Sequence, residues 1–192
     1  MRTVDSQYRD KLMENYADSS NQSLKELKSH GIDASFCEGD VELIEDLSYY
    51  LVMLKRFNFP LKKSIEVSSD SGGSYACDAG IHIPWDEMRK RITRIESFLK
   101  KAPRSPENNI LEGILRNLMA NYVNGMDNTP VCDFETNIVL DEILQSYNLF
   151  EKENKTSKYY PFFKKYLGML KANKNVCNDK IRTFSYKYFN TN

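Results

Sequence analysis

Five runs of this chain repeat apolar side chains every third or fourth position, and residues that start or stop helices flank them. That is the α-helical period, so the runs commit much of the chain to amphipathic helices that must pack on one another. In the first, Asp40 stands as an N-cap before Leu43, Ile44, Leu47, Tyr50, Leu51, Leu54 and Phe57, and Pro60 ends it. In the second, Pro84 takes the first helical position, Met88, Ile92, Ile95 and Leu99 form the stripe, and Pro103 stops it. Ser105-Pro106-Glu107 then combines a capping hydroxyl, a proline and an acid in the order a helix start requires. Its stripe runs Ile110, Leu111, Ile114, Leu115, Leu118, Met119 and Tyr122, to a stop near Gly125. Asp133 is the expected cap for Ile138, Val139, Leu140, Ile143, Leu144 and Tyr147. Beyond the polar stretch Glu151–Ser157, Tyr159–Lys171 carries Tyr159, Phe162, Phe163, Tyr166, Leu167 and Leu170.

Shorter helices are expected up to Ala17 and over Gln22–His30, the latter stopped by Gly31 at C′. Ile181–Phe189 fits two patterns. Phe184, Tyr186 and Tyr188 alternate as on a strand, while Ile181, Phe184 and Tyr188 have helical spacing. One region reads as β: Ile65 and Val67 alternate, Gly72–Gly73 allows a turn, and Tyr75, Cys77, Ala79, Ile81 and Ile83 alternate again. The expected fold is therefore mainly α, a single bundle of five to seven helices over residues 1–192, with room for one β-hairpin around residues 62–83. A sub-boundary, if present, belongs in the Ser68–Ser74 loop or the Glu151–Ser157 linker.

Charge is strongly segregated although the total is zero. Residues 1–54 carry a net −6, residues 85–104 a net +4 and residues 107–153 a net −7. Residues 155–192 hold eight Lys and one Arg against Asp179, and nine of the 23 aromatics. Such blocks can neutralise one another inside the fold, or present opposite patches that steer partners. Bases interleaved with aromatics can also track phosphates and stack nucleobases.

Catalytic chemistry finds little support. Only His30 and His82 supply imidazoles. Cys77, Asp78 and His82 are close in sequence, but on a strand positions 77 and 82 point to opposite faces. A zinc site from His30, Cys37, Cys77 and His82 lacks closely paired ligands. Glu45–Asp46, Asp86–Glu87 and Asp141–Glu142 are adjacent on helices and point about 100° apart, which does not make an acid–base dyad. Glu38-Gly39-Asp40 has too few oxygens for a calcium loop, and Ser68–Ser74 lacks phosphate-loop spacing. No metal or cofactor is expected.

Four cysteines, Cys37, Cys77, Cys132 and Cys177, are too sparse for a disulfide scaffold and are expected as free buried thiols in a reducing compartment. The longest apolar stretch, Tyr49–Leu54, is six residues, so no membrane span is expected. Binding of Tyr159–Lys171 to an anionic membrane competes with its role in closing the bundle. The start of the chain lacks a secretory h-region, and the expected location is intracellular, in the cytoplasm. The sequons at Asn21 and Asn154 have meaning only on secretion.

The leading expectation is a non-enzymatic module, an adaptor, inhibitor, immunity-type or pathogen-encoded regulatory factor, that binds another protein through segregated charge. The candidate contact residues are Glu38, Asp40, Glu42, Glu45, Asp46, Tyr49, Trp85, Glu135, Asp141 and Glu142. The alternative is a nucleic-acid-binding factor using Arg89, Lys90, Arg91, Arg94, Lys164, Lys165, Lys171, Lys174 and Arg182, with Tyr160, Tyr186 or Tyr188 exposed for stacking. A lysine-dominated patch and a sequence pI near 6.7 weigh against it.

Overall fold

The structure, a computed structural model, describes residues 6–13, 21–54, 62–71, 74–102 and 104–190. It is mainly α, with nine helices among the described residues. The stops expected at Pro60 and Pro103, the Phe57 end of the first stripe and the Gly72–Gly73 turn lie outside them. The chain divides into two compact units, Met1–Asp78 and Ala79–Asn192. The division falls just past the stretch 68–74 named for a sub-boundary, whose first four residues belong to a helix.

The first unit contains α1 (Ser6–Met13), α2 (Gln22–Ser29), β1 (Ile32–Cys37), β2 (Asp40–Glu45), α3 (Leu47–Leu54), α4 (Lys62–Ser71) and β3 (Ala76–Cys77). Asn21 caps α2, its side-chain oxygen accepting from the Leu24 N–H at 3.1 Å. Gly31 follows the cap at φ +76°, the left-handed position of a helix stop. β1 and β2 then pair antiparallel, Cys37 opposite Asp40, through the two-residue turn Glu38–Gly39. Both turn residues have positive φ, 53° and 75°, as a twist-matched hairpin turn demands.

Asp40 therefore starts a strand, not the expected helix. From β2 only Val41 is buried, packing with Leu12 and Leu27, while Leu43 and Ile44 remain 40% and 38% exposed. The helix begins later, behind Asp46, whose carboxylate accepts the Ser48 hydroxyl and the N–H groups of Ser48 and Tyr49 at 3.0 and 3.3 Å. The Ser48 hydroxyl is the main cause of that carboxyl's lowered pKa. The expected first strand of the 62–83 hairpin is instead α4. Ser64 and Val67, three apart, are its buried positions, and Lys63 pairs with Glu66 at 2.8 Å across one turn.

A Cβ added at Gly31 would stand 2.6 Å from Tyr49 Cδ1. Gly31→Ala therefore combines left-handed strain with a steric clash and is expected to lower stability by about 2–3 kcal/mol. Urea unfolding checks this, and an unchanged midpoint would show that the ring moves aside freely.

The second unit contains β4 (Gly80–Ile81), α5 (Trp85–Leu99), α6 (Pro106–Asn124), β5 (Gly125–Met126), β6 (Thr129–Pro130), α7 (Asp141–Glu153), α8 (Tyr160–Ala172) and α9 (Asp179–Asn190). Five helix packings close a ring: α5 lies on α6 and α7, α7 on α8, α8 on α9, and α9 back on α6. The Ser105 hydroxyl caps α6, accepting from the Asn108 N–H at 3.3 Å. The stripes of α5 and α6 become core: Met88, Ile92, Ile95, Leu115, Leu118, Met119 and Tyr122 are fully buried, whereas Ile110 is 66% exposed. α9 resolves the ambiguous tail. Ile181, Ser185 and Phe189 are buried at a spacing of four while Thr183 and Lys187 between them are exposed, which fits a helix and not the two-residue alternation of a strand.

The tail's aromatics fill the centre of this unit. Phe163 is fully buried, with ring centroids of Phe150, Tyr147 and Tyr122 at 4.5, 5.5 and 5.8 Å. Phe162 stacks with Tyr188 at 4.3 Å and Phe184 at 5.3 Å. Two tyrosine hydroxyls are buried with partners: Tyr147 donates to the Tyr122 carbonyl at 2.7 Å, and Tyr122 shares a 2.7 Å bond with the Ser146 hydroxyl. Burial raises both pKa values, so both hydroxyls stay protonated. Buried Glu96 on α5 accepts the Lys158 N–H at 2.6 Å and fixes the approach to α8.

Candidate binding grooves beside the last helix

The segment from Val131 to Leu140 is a loop docked on the connection between α8 and α9, although the part behind Asp133 was expected to open a helix. Its backbone is held at both ends. Val139 N–H donates to Asn175 O at 3.0 Å, and Cys177 N–H donates to Asn137 O at 2.7 Å. Isolated bridges pair Cys132 with Val139 and Ile138 with Val176. A disulfide, Cys132–Cys177, fastens the same contact, with Cα atoms 6.5 Å apart. Asp133 supports the loop tip from within, accepting from the N–H groups of Glu135 and Thr136 at 3.1 and 2.8 Å and from the Thr136 hydroxyl. These bonds, the Thr136 N–H first, lower its pKa.

The second disulfide, Cys37–Cys77, lies within the first unit with Cα atoms 5.7 Å apart, joining the end of β1 to β3. All four cysteines are thus paired, which overturns the expectation of free thiols. It also removes Cys77 as a nucleophile and both Cys37 and Cys77 as zinc ligands, since a disulfide sulfur is not a thiolate.

The fastened loop and α9 enclose a groove of about 720 Å³. Val131, Tyr166, Cys177 and Ile181 contribute to its lining. Phe134 from the loop and Tyr186 from α9 also line it, and they are 78% and 65% exposed. Arg182 crosses it, donating to the Asn137 side-chain oxygen at 2.8 Å. On the other flank of α9 a second groove, of about 710 Å³, opens toward α8. Lys165, Lys180 and Lys187 line it together with Met169, Ala172 and Phe184. The Lys165 ammonium sits 5.0 Å from the centroid of the Phe184 ring.

The residues singled out for protein binding fall into separate places. Glu38, Asp40, Glu42 and Glu45 are exposed along the β1–β2 hairpin of the first unit. Asp46 and Tyr49 are half-buried, Asp46 as the start of α3 and Tyr49 against Gly31. Glu135, Asp141 and Glu142 are exposed in the second unit. Trp85 is not an anchor on the surface: it is 4% exposed and donates its indole N–H to the Tyr122 carbonyl at 3.0 Å.

The basic residues separate by what they do. On α5, Arg89 bridges Asp86 and Glu153 at 2.8 and 2.6 Å, Lys90 pairs with Asp86 at 2.8 Å, and Arg91 with Glu87 at 3.2 Å. Lys90 and then Arg89 hold the Asp86 pKa down. Arg94 is exposed on the same helix. Lys164, Lys165, Lys171, Lys174 and Arg182 are exposed on α8, α9 and their connection. Among the described residues, Lys164, Lys171, Lys174 and Lys180 form no ion pair. The tail is therefore held by its rings, and the neutralisation of charge inside the fold is carried by α5. Tyr186 is the exposed ring of the three considered for stacking; Tyr160 and Tyr188 are half-buried.

Phe134 is the contributor the sequence reading passes over. Its signal is a large ring within the polar, turn-forming segment Asp133–Asn137, where no helical stripe needs it. No protein-family model, curated protein or solved structure matches this chain.

Proposed function

We propose that this protein is a non-enzymatic module that binds another protein, and that it does so through the groove beside the Cys132–Cys177 bridge. The observation that carries this reading is the pairing of two highly exposed rings, Phe134 and Tyr186, on a groove with apolar residues in its lining. Exposed aromatics bordering an apolar depression are the usual anchors of protein interfaces. A disulfide-fastened wall limits the ordering that binding would require.

The paired cysteines also favour an oxidising compartment over the cytoplasm. Thiol titration and peptide mapping of protein from its natural source should find no free thiol and the pairs 37–77 and 132–177. Free thiols there would return the protein to a reducing compartment.

The binding reading is tested by comparing capture from native extract by the wild type and by the double variant Phe134→Ala with Tyr186→Ala, with nuclease present. A stoichiometric protein retained by the wild type and lost by the variant is expected, with affinity falling at least about tenfold. Equal capture by both removes the groove as the interface. The nucleic-acid alternative draws on one observation, the unpaired lysines of α8 and its connection to α9. Against it stand the burial of most of the tail's rings and the internal pairing of the α5 bases. It requires an affinity that falls steeply with salt and with Lys164→Glu and Lys165→Glu.

A further inference from the structure

We infer that the groove between α8 and α9 receives an acidic polypeptide segment in which carboxylates flank an apolar side chain. This rests on the protein-binding reading and names the chemistry of the partner. The argument begins with charge. Three lysines, Lys165, Lys180 and Lys187, line the groove, and none of its lining residues is acidic. Lys165 and Lys180 are exposed, and their neighbours Lys171 and Lys174 add to the same positive field. The contrast with α5 matters, because there the acids needed to neutralise the bases are supplied by the fold itself. Among the described residues Lys165, Lys171, Lys174 and Lys180 form no ion pair, and Asp179 is the one acid on α8 and α9, so a net positive field remains for a partner.

Charge alone would serve any polyanion. The lining distinguishes among them. Met169, Ala172 and the half-buried Phe184 lie between the lysines, and the Lys165 ammonium is positioned over the Phe184 ring. An apolar strip between cations rewards a ligand that can desolvate an aliphatic or aromatic side chain there. A sulfated sugar has no such group in register with its charges, and a nucleic acid would stack its bases on exposed rings, whereas Phe184 is half-buried. Lysine also presents point charges rather than the planar fork that reads phosphates and bases bidentately. The volume of about 710 Å³ is in the range that encloses several side chains.

The test is fluorescence anisotropy on the full chain. The probe is a short labelled peptide of repeating Glu-Glu-Leu, set against a repeating Glu-Glu-Ser peptide, a sulfated oligosaccharide and a single-stranded oligonucleotide. The Glu-Glu-Leu peptide should bind at least about fivefold tighter than each of the others, and raised salt should weaken it. Lys165→Gln combined with Lys180→Gln, which keeps the side-chain stems at two exposed positions, should weaken it about tenfold. Equal binding of the Glu-Glu-Ser peptide, the sugar or the oligonucleotide would overturn the assignment, as would an unchanged lysine variant. The same lysine variant is run in the partner capture described above. A partner kept by the lysine variant yet lost by the Phe134→Ala, Tyr186→Ala variant overturns the acidic-segment inference while leaving the protein-binding reading intact. A partner lost by the lysine variant supports it.

Discussion

Phe163→Ala should lower the stability of the second unit by about 3–5 kcal/mol, the range for removing a fully buried aromatic side chain. The ring has no exposed surface and sits where three helices meet: Tyr122 of α6, Tyr147 and Phe150 of α7, and Phe162 and Tyr166 of its own α8 surround it. Its removal forfeits transfer free energy and leaves a cavity walled by rigid rings that cannot collapse into it. Two of those rings are further restrained, because Tyr122 and Tyr147 hold hydrogen bonds to Ser146 and to backbone carbonyls. Denaturant unfolding should show a lower midpoint at unchanged slope. A loss under about 1 kcal/mol would mean that the cluster repacks, and that its ring geometry is adaptable rather than specified.

Cys132→Ser combined with Cys177→Ser should cost about 2–4 kcal/mol and should also impair partner capture. The bond closes a sequence separation of 45 residues, for which the loop-entropy estimate is about 4 kcal/mol. The functional effect has a separate cause. Phe134 rides on the loop that the bond fastens, so its placement on the groove depends on the contact between that loop and the α8–α9 connection. Hydrogen exchange resolves the two effects. The amides of Val139 and Cys177, whose bonds to Asn175 and Asn137 span this contact, should exchange faster, while those in the middle of α6 change less. Unaltered protection at Val139 and Cys177 would show that the backbone bonds hold the loop without the bridge.

How far the fold could be read in advance depended on whether two structures compete for the same pattern. α5 and α8 were readable from their stripes, and α6 because stripe, cap and stop agree in Ser105, Pro106 and Gly125. At Leu43 and Ile44 they compete. Adjacent apolar residues fit a helix stripe, but they also fit a strand that is solvated on both faces, and the left-handed pair Glu38–Gly39 decides for the strand. Asp133 misleads for a related reason. Its carboxylate accepts N–H groups two and three residues on, the same bonds an N-cap makes, and here they close a turn instead. The basic tail was visible as composition. Which of its rings face water was not, since Phe184 and Tyr188 fit a strand face with Tyr186 and a helix face with Ile181 until α9 is known to be a helix. The disulfides lay beyond reach because four widely spaced cysteines read as free thiols, and the contacts that bring Cys37 to Cys77 and Cys132 to Cys177 belong to the fold and not to local sequence.

The pairing itself bears on how the chain acquires its shape during synthesis. Cys37 joins Cys77 and Cys132 joins Cys177, so the order is first with second and third with fourth. A chain made from its N-terminus presents the first two sulfurs together before the third exists. Joining each new cysteine to the one already waiting yields the native set. No bond has to be broken and exchanged afterwards, and assembly of the first unit need not await the second. Refolding from the fully reduced, full-length chain loses that ordering, since all four sulfurs then compete at once. Oxidative refolding of the whole chain should therefore pass through mispaired species that synthesis avoids.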